Sequence, residues 1–319
     1  SYALPKGGEA VARLRGAAAL FFPVFFGAAL LFFPDVSAAA AREGVTLCLQ
    51  TVLPSLFPFF VLSSLLVQSD VPRLLSRAMA GVMYPLFGVS GAGASALILG
   101  LLGGYPVGAR TVAELYGRSE IAREEAEQLL AFCNNSGPGF FLGVCGTAVF
   151  GSARAGAYLY LIHVGAALVT GILLRRDLGL PRRKAVSRQR APFDLAAALP
   201  AAVQGSFAAV GSVSAFVIFF MVLLRLLSLV PALAALPPLP RAALFGFMEM
   251  TNGVNALPAT RTGFVLCAAI MNWGGLSVQA QTRAMLAGSA LSARRCVIGK
   301  AVQALAGVPL ALLAAGRLF

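Results

Sequence analysis

"FCNNSGPGFF" (132–141) lies between two apolar stretches, each of which looks able to enter a bilayer. It brings together amides, a hydroxyl, glycines and a proline in surroundings that are otherwise almost entirely apolar. A helix that is interrupted in hydrocarbon exposes backbone N–H and C=O groups, which is tolerated only where protein or a water-filled cavity satisfies them. The stretch therefore predicts a broken membrane helix that faces a polar cavity.

The composition of the chain agrees with a membrane location. The chain has 319 residues, of which 59% are hydrophobic and 12% are charged, and its mean hydropathy is +0.84. Apolar stretches such as 16–33 and 157–174 are long enough to span about 30 Å of hydrocarbon as helices. The strands of a barrel would instead alternate apolar and polar residues. We therefore predict an all-α polytopic membrane protein.

About half of the net charge of +13 lies in one short segment. Residues 175–190, "RRDLGLPRRKAVSRQR", contain seven basic side chains beside Asp177. Clusters of Lys and Arg next to membrane helices mark the cytoplasmic side. Orientation in the membrane thus explains the charge, and no nucleic-acid partner is expected.

Starting from a cytoplasmic loop at 175–190, the sequence predicts about seven transmembrane helices plus two re-entrant broken-helix hairpins in two inverted repeats. The expected domains are an N-terminal membrane helix and loop (1–44), a first repeat (45–174), a basic cytoplasmic linker (175–192) and a second, inverted repeat (193–319). The expected spans are 16–33, 45–67, 92–109, 153–174, 204–230, 241–260 and 292–316, with hairpins over 118–151 and 261–288.

Two local similarities support the repeat. "GLLGGYPVGA" (100–109) aligns with "GFMEMTNGVNA" (246–256), and "GSARAG" (151–156) aligns with "GSALSA" (288–293). Inverted repeats with broken helices at matching positions point to a transporter whose site lies near the middle of the membrane.

The predicted site is built around the helix breaks. Gly137 permits the turn of the first break, and the half-helix that follows points free N–H groups, which attract anions, at the break. The neighbouring amides and hydroxyl either contact a ligand or cap the half-helices. The predicted substrate-binding residues are Gly104, Tyr105, Pro106, Asn134, Asn135, Ser136, Gly137, Glu249, Thr251, Asn252, Asn272 and Gln279.

Glu249 is the sharpest single candidate because it is the only acidic residue after Asp194 and stands within an apolar span. Intramembrane carboxyl groups usually belong to ion pathways, proton relays or ligand sites. The alternatives are a structural hydrogen bond or a pair with Arg225 or Arg110. No cofactor is expected, and a proton or a sodium ion is the coupling ion that transport through this site would use.

Other polar residues are expected to be structural. "EIAREEAEQ" (120–128) predicts a solvated helix face with i,i+4 pairs, and His163 predicts a packed neutral histidine. Lys300, with Arg294 and Arg295, is expected on the cytoplasmic side. Arg261 and Arg283 are expected there too.

The sequence lacks the patterns of several kinds of chemistry. It has no nucleophile–base constellation, P-loop or metal-ligand spacing. The five cysteines are scattered, so that neither a zinc site nor a disulfide framework is expected. An intramembrane enzyme that uses Glu249 is the second function class considered, and a structural membrane protein is the third. Neither explains two symmetric helix breaks.

The strings "GGYPVGA" and "LLAFCNNSGPGF" resemble the sporulation integral membrane protein YlbJ family, whose members carry the nucleoside-recognition or Gate domain. The resemblance extends from about residue 45 to about residue 310. It implies a multi-pass protein of endospore-forming bacteria in the outer forespore membrane, similar in architecture to the concentrative nucleoside transporters.

The same resemblance implies a substrate. The family is associated with movement of dipicolinic acid from the mother cell toward the forespore, and this small aromatic dianion suits helix N-termini and amide donors. The Gate domain alone would imply a nucleoside, which we keep as the alternative. The expected partners are thus a small-molecule anion or a nucleoside and the lipid bilayer, and an oligomer is compatible with them.

Overall fold

A computed structural model describes residues 7–179 and 193–318, and within these ranges the chain is helical without strands. The all-α polytopic class is confirmed, while residues 180–190 of the predicted basic loop lie outside the described residues. The elements are α1 (Gly7–Phe32), α2 (Pro34–Leu47), π-helical π1 (Cys48–Val52), α3 (Leu53–Gln68), α4 (Val71–Phe87), a 3₁₀ turn (Gly91–Gly93), α5 (Ala94–Gly103), α6 (Val107–Gly117), α7 (Arg123–Leu130), π-helical π2 (Phe140–Val149), α8 (Ala153–Leu173), α9 (Leu195–Leu227), α10 (Pro231–Ala234), α11 (Pro238–Met248), α12 (Met250–Asn255), α13 (Arg261–Trp273), α14 (Gly275–Met285) and α15 (Arg294–Ala315).

Several long helices begin at side-chain caps that the sequence supplies. Ser152 accepts a hydrogen bond from the third residue of α8, Asp194 accepts two at the start of α9, and Thr260 accepts one at the start of α13. A capping oxygen satisfies a backbone N–H group that would otherwise lack a partner. These caps fix where the helices start.

Four described helices are long and apolar enough to cross a membrane: α8, α9, the combined α13 and α14, and α15. Two further pairs, α1 with α2 and α4 with α5, reach that length together but are each bent by 101°. Counting each bent pair as one span gives up to six by length and composition, against about seven predicted. The difference arises where interruptions leave helices too short to span alone.

The two ends of α8 define the two ends of the bundle. At the Leu174 end, the Gln128 side chain of α7 donates a hydrogen bond to Leu174 O at 2.9 Å. At the Ser152 end, the rings of Phe150 and Phe264 lie 5.7 Å apart, so α13 begins there. The Leu174 end continues into the basic segment, so it is the end that the charge bias predicts to be cytoplasmic.

The structure places the first re-entrant hairpin one element earlier than predicted. α5 and α6 pack against each other and fold back at residues 104–106, which we call the first tip. Their backbones approach so closely that a Cβ atom added at Gly100 would lie 3.0 Å from Gly108 Cα. The hairpin enters from the Leu174 end, because α7, which follows it, starts at that end. The prediction of a crossing helix over 92–109 was therefore wrong.

The second hairpin is formed by α11 and α12, which fold back at Glu249, the second tip. A Cβ atom added at Gly253 would lie 2.2 Å from Gly246 Cα. This hairpin enters from the Ser152 end, where α13 begins after it. The predicted crossing helix over 241–260 is replaced by this hairpin.

The segments predicted as hairpins instead cross the bundle as broken helices. α7 starts at the Leu174 end, whereas π2 ends beside α8, where Ser152 N donates to Gly146 O at 2.9 Å. The chain from α13 through α14 crosses in the opposite direction as a span of 25 residues. Arg261 and Arg283 consequently lie at opposite ends of the bundle, which corrects their joint assignment to the cytoplasmic side.

In each half the structure has a hairpin followed by a broken crossing where the sequence predicted a crossing followed by a hairpin, so α8, α9 and α15 keep their expected directions. Each half contains a hairpin, a broken helix and a spanning helix in that order, inserted with opposite sense. The turns before α8 and α15 also match, since Gly151 and Gly288 both have positive φ angles, 62° and 80°. The first break, residues 131–139, passes from the apolar cluster around Leu129 to the one around Phe141.

Cysteine labelling tests the reassigned hairpins. In a background without the native cysteines, Arg118→Cys should react with an impermeant thiol reagent from the same side as Asp177→Cys, and Ala259→Cys from the opposite side. The expectation follows because each hairpin returns to the end from which it entered. Labelling of Arg118→Cys from the side opposite Asp177→Cys would restore a crossing over 92–109 and contradict the structure.

Candidate functional site

The first tip packs directly against the first break. Gly104 has a φ of 83°, and a Cβ atom there would lie 3.1 Å from Gly137 N. The carbonyl oxygen of Cys133 fits against α5 and α6, because Cβ atoms at Gly100 and Gly108 would lie 1.9 and 2.1 Å from it. Only glycines permit such an approach, so the hairpin covers backbone that the broken helix leaves exposed.

The second break, residues 274–275, lies between the two tips. Both glycines have left-handed conformations, with φ angles of 81° and 85°. A Cβ atom at Gly274 would lie 3.2 Å from the Tyr105 hydroxyl of the first tip, whereas one at Gly275 would lie 3.1 Å from Glu249 Cα of the second. Tyr105 also donates a hydrogen bond to Met271 O at 3.3 Å. The two tips and the two breaks therefore meet in one region.

The polar side chains of the first break both cap helix ends and reach other elements. Asn135 Nδ2 donates to Phe132 O at 2.8 Å, which is a local cap. Asn134 Nδ2 donates to Thr282 Oγ1 of α14 at 2.8 Å. Both asparagines are fully buried. The predicted alternatives of capping and longer-range contact thus coexist here.

His163 of α8 is packed, as predicted, and it also contacts the first break. It is fully buried, and its Nε2 accepts a hydrogen bond from Ser136 N at 3.1 Å. A ring nitrogen that accepts a hydrogen bond carries no proton. The contact therefore requires the neutral ring with its proton on Nδ1.

Lys300 of α15 lies at the centre of the site rather than at the cytoplasmic surface, which corrects its assignment from sequence. Its side chain is fully buried. Nζ donates to Gln303 Oε1 at 2.7 Å, to Tyr105 Oη at 3.2 Å and to Asn135 Oδ1 at 3.3 Å. In the described part of the chain it forms no salt bridge. A buried ammonium group is thus held by neutral oxygens alone.

Three buried amide oxygens lack a hydrogen-bond partner within the described residues: Asn134 Oδ1, Asn272 Oδ1 and Gln279 Oε1. All three belong to residues of the predicted site, beside the first break or the second. Buried polar atoms are seldom left without a partner. Asn272 and Asn134 also lie beside the His163 ring and the Cys296 thiol, so Gln279 Oε1 is the oxygen left available to a donor of a ligand or to water.

Glu249 caps the short helix α12 at the second tip. Its Oε1 accepts from Thr251 N at 3.1 Å, and its Oε2 accepts from both Asn252 N and Asn252 Nδ2 at 2.8 Å. The structural hydrogen bond considered from sequence is therefore present. The alternative ion pairs are not formed, since Arg110 pairs with Glu114 and Arg225 with Glu43.

The structure thus brings most of the predicted residues to the tips and breaks, but Thr251 and Asn252 are only partly buried and bond to Glu249. Lys300 and Gln303 also belong to the site, although they were not among the residues predicted from the sequence. Their spacing could have indicated that they act together, because polar residues three positions apart on an apolar helix share one face.

The helix face predicted to be solvated is partly buried at the Leu174 end. Glu125 is fully buried and its Oε1 accepts from Ser90 N at 2.7 Å, which holds the loop before α5 against α7. The predicted i,i+4 pairing occurs between Arg123 and Glu127 at 3.1 Å. This acidic helix therefore has a structural role in the bundle.

A surface cavity of about 680 Å³ lies near the Leu174 end, between the end of α14 and the start of α15. Arg283 and Arg294 line it, and none of the predicted substrate-binding residues does.

The five cysteines are buried and free, and no group of three or more His, Cys, Asp or Glu in the described residues could hold a metal ion. The candidate site is therefore the buried region where tips and breaks meet.

Two comparisons with known proteins match this chain. The family model of the Gate domain, described as nucleoside recognition, matches residues 49–223. The sporulation integral membrane protein YlbJ of Bacillus subtilis (strain 168) is 29% identical over 302 residues, an alignment that covers 83% of this chain and 74% of that protein. No solved structure matches the chain.

The close packing of hairpin and break can be tested with two glycines of α6. Gly108→Ala would place a methyl group 2.1 Å from Cys133 O, so we expect a destabilisation of about 1 to 3 kcal/mol from overpacking. Gly117→Ala is the matched control, because nothing lies within 4 Å of that position. Thermal unfolding of the purified variants in detergent measures both, and equal midpoints would contradict the close approach.

Proposed function

Because the chain belongs to the Gate family of nucleoside-recognition domains, we propose that it is a membrane transporter for a small polar or anionic solute. The solute would bind where the two tips meet the two breaks. Inverted repeats with broken helices that face each other near mid-membrane suit alternating access, since one half can move against the other around a fixed site.

The observation that favours an anionic solute is the buried ammonium of Lys300. It is surrounded by neutral oxygens and forms no salt bridge in the described residues. An uncompensated charge in a low-dielectric interior is costly. A negatively charged ligand nearby would offset that cost, whereas a cationic ligand would raise it.

We propose dipicolinic acid as the solute, moved from the mother cell toward the forespore across the outer forespore membrane. The similarity to a sporulation integral membrane protein supports this cellular context. The dianion matches the positive site, and its aromatic ring matches the apolar surroundings of the breaks. A nucleoside is the alternative, favoured by the Gate match and by the unpaired amide oxygen of Gln279, which could accept a hydrogen bond from a base or a ribose.

Transport is a better account than catalysis or a purely structural role. Glu249, on which the alternative of an intramembrane enzyme depended, already accepts three hydrogen bonds as a helix cap. A structural protein would have no use for two broken helices whose buried amide oxygens remain unpaired. Uptake into sealed vesicles that contain the purified protein distinguishes transport from both alternatives.

Substitution of the first break tests the binding site. Asn135→Leu should weaken dipicolinate binding by about 1 to 3 kcal/mol, because the buried partners of the amide lose their hydrogen bonds. Equilibrium binding to the purified protein, with uridine as the competing candidate, measures the effect. Asn255→Leu, at an exposed position of α12, is the matched control. Unchanged binding together with a large loss of thermal stability would mean that Asn135 only caps the helix.

A second test concerns the cap that Glu249 forms at the second tip. Glu249→Ala removes the acceptor of three hydrogen bonds at the start of α12, so we expect a loss of about 0.5 to 2 kcal/mol of stability. Thermal unfolding of the purified protein measures the effect, with Glu124→Ala at an exposed position of α7 as the control. Equal unfolding midpoints for Glu249→Ala and the wild type would contradict the capping role.

A further inference from the structure

The Lys300 ammonium fills a position where three elements meet. Its acceptors are the hydroxyl of Tyr105 on the first tip, the amide oxygen of Asn135 in the first break and the amide oxygen of Gln303 on α15. Nζ also lies 5.0 Å from the centre of the Tyr105 ring. An ammonium group has three N–H donors, and the structure supplies one acceptor for each.

The use of all three N–H groups within the protein limits the role of Lys300. Because all three N–H groups are used within the protein, none remains to hold a carboxylate directly. The lysine therefore contributes its charge and holds the three elements together. Its acceptors are neutral oxygens, the type of ligand that hard cations such as sodium prefer, at an interrupted helix of the kind that holds coupling ions in transporters.

Given the transport function proposed above, we infer that the Lys300 ammonium takes the place of a bound sodium ion, so that this carrier binds its solute without sodium. A covalently attached cation is present in every molecule, whatever the salt. It joins the first tip, the first break and α15 in the way that a dissociable ion would do only when bound.

The backbone around Lys300 keeps the cation in place. The preceding residue, Gly299, packs so closely on the first break that a Cβ atom there would lie 1.8 Å from Ala131 O. α15 therefore cannot move inward to fill the space if the lysine is shortened. Removal of the side chain should leave a cavity lined by three oxygens that have lost the ammonium donor, of which only Asn135 Oδ1 keeps another donor among the described residues, Gln303 Nε2 at 3.1 Å. Such a cavity is a ready position for a small cation and water.

The test compares a variant that opens this cavity with one that fills it. Lys300→Ala should leave room for sodium, whereas Lys300→Met replaces the amine with an apolar chain of similar length and should leave none. Sodium chloride, with choline chloride as the control salt, is titrated onto the purified protein. Thermal unfolding and equilibrium dipicolinate binding are both measured.

We expect the wild type and Lys300→Met to respond equally to sodium and choline. Lys300→Ala should be stabilised by sodium alone, with a gain in dipicolinate affinity of about tenfold, equivalent to about 1.4 kcal/mol. A wild type whose binding requires sodium would overturn the inference. So would a folded Lys300→Ala variant that does not distinguish the two salts.

If Lys300→Ala cannot be purified in either salt, Lys300→Ser provides the same cavity with a small polar side chain, and the wild-type titration remains decisive. The thermal measurement needs no solute. Sodium-specific stabilisation of the alanine variant, combined with a wild type that binds neither dipicolinate nor uridine, would therefore support the cation replacement while rejecting the proposed function.

Discussion

The need to satisfy backbone groups at two interrupted helices governs the rest of this structure. In hydrocarbon, an unpaired N–H or C=O group finds no water, so it must be covered by protein. The first break is covered by the glycine-rich hairpin of α5 and α6, whose Gly100 and Gly108 admit the carbonyl oxygen of Cys133. The second break lies between both tips, in contact with Tyr105 on one side and Glu249 on the other. Broken helices and re-entrant hairpins thus depend on each other.

This packing also determines the electrostatic character of the site. The first tip, the first break and α15 meet at the ammonium of Lys300, which has oxygen acceptors but no salt bridge in the described part of the chain. Glu249, the acidic residue of the second half, accepts its hydrogen bonds from the start of α12. The part of the site around Lys300 therefore combines a positive charge with neutral amides. The carboxylate at the second tip serves as a helix cap.

The sequence predicted that the chain breaks its helices in matching positions of two halves, but it assigned the turns to the wrong segments. The chain crosses the membrane equally often whether a crossing helix precedes the hairpin or follows it. Charge bias and hydropathy therefore cannot distinguish the two arrangements. The distinction comes from which pieces pack together: α5 lies against α6, whereas α7 and π2 each pack against other elements.

By itself, the sequence determined the helical membrane class, the two interrupted segments and the amides of the first break, because each depends on local composition and on the cost of exposed backbone in lipid. It also gave Glu249 prominence, since a lone acid in an apolar stretch is visible without a structure. Only the tertiary structure decided that Lys300 is the central charge. The reason is that burial and hydrogen-bond partners are set by residues as far apart as Tyr105, Asn135 and Lys300, which only the packing of the two halves brings together.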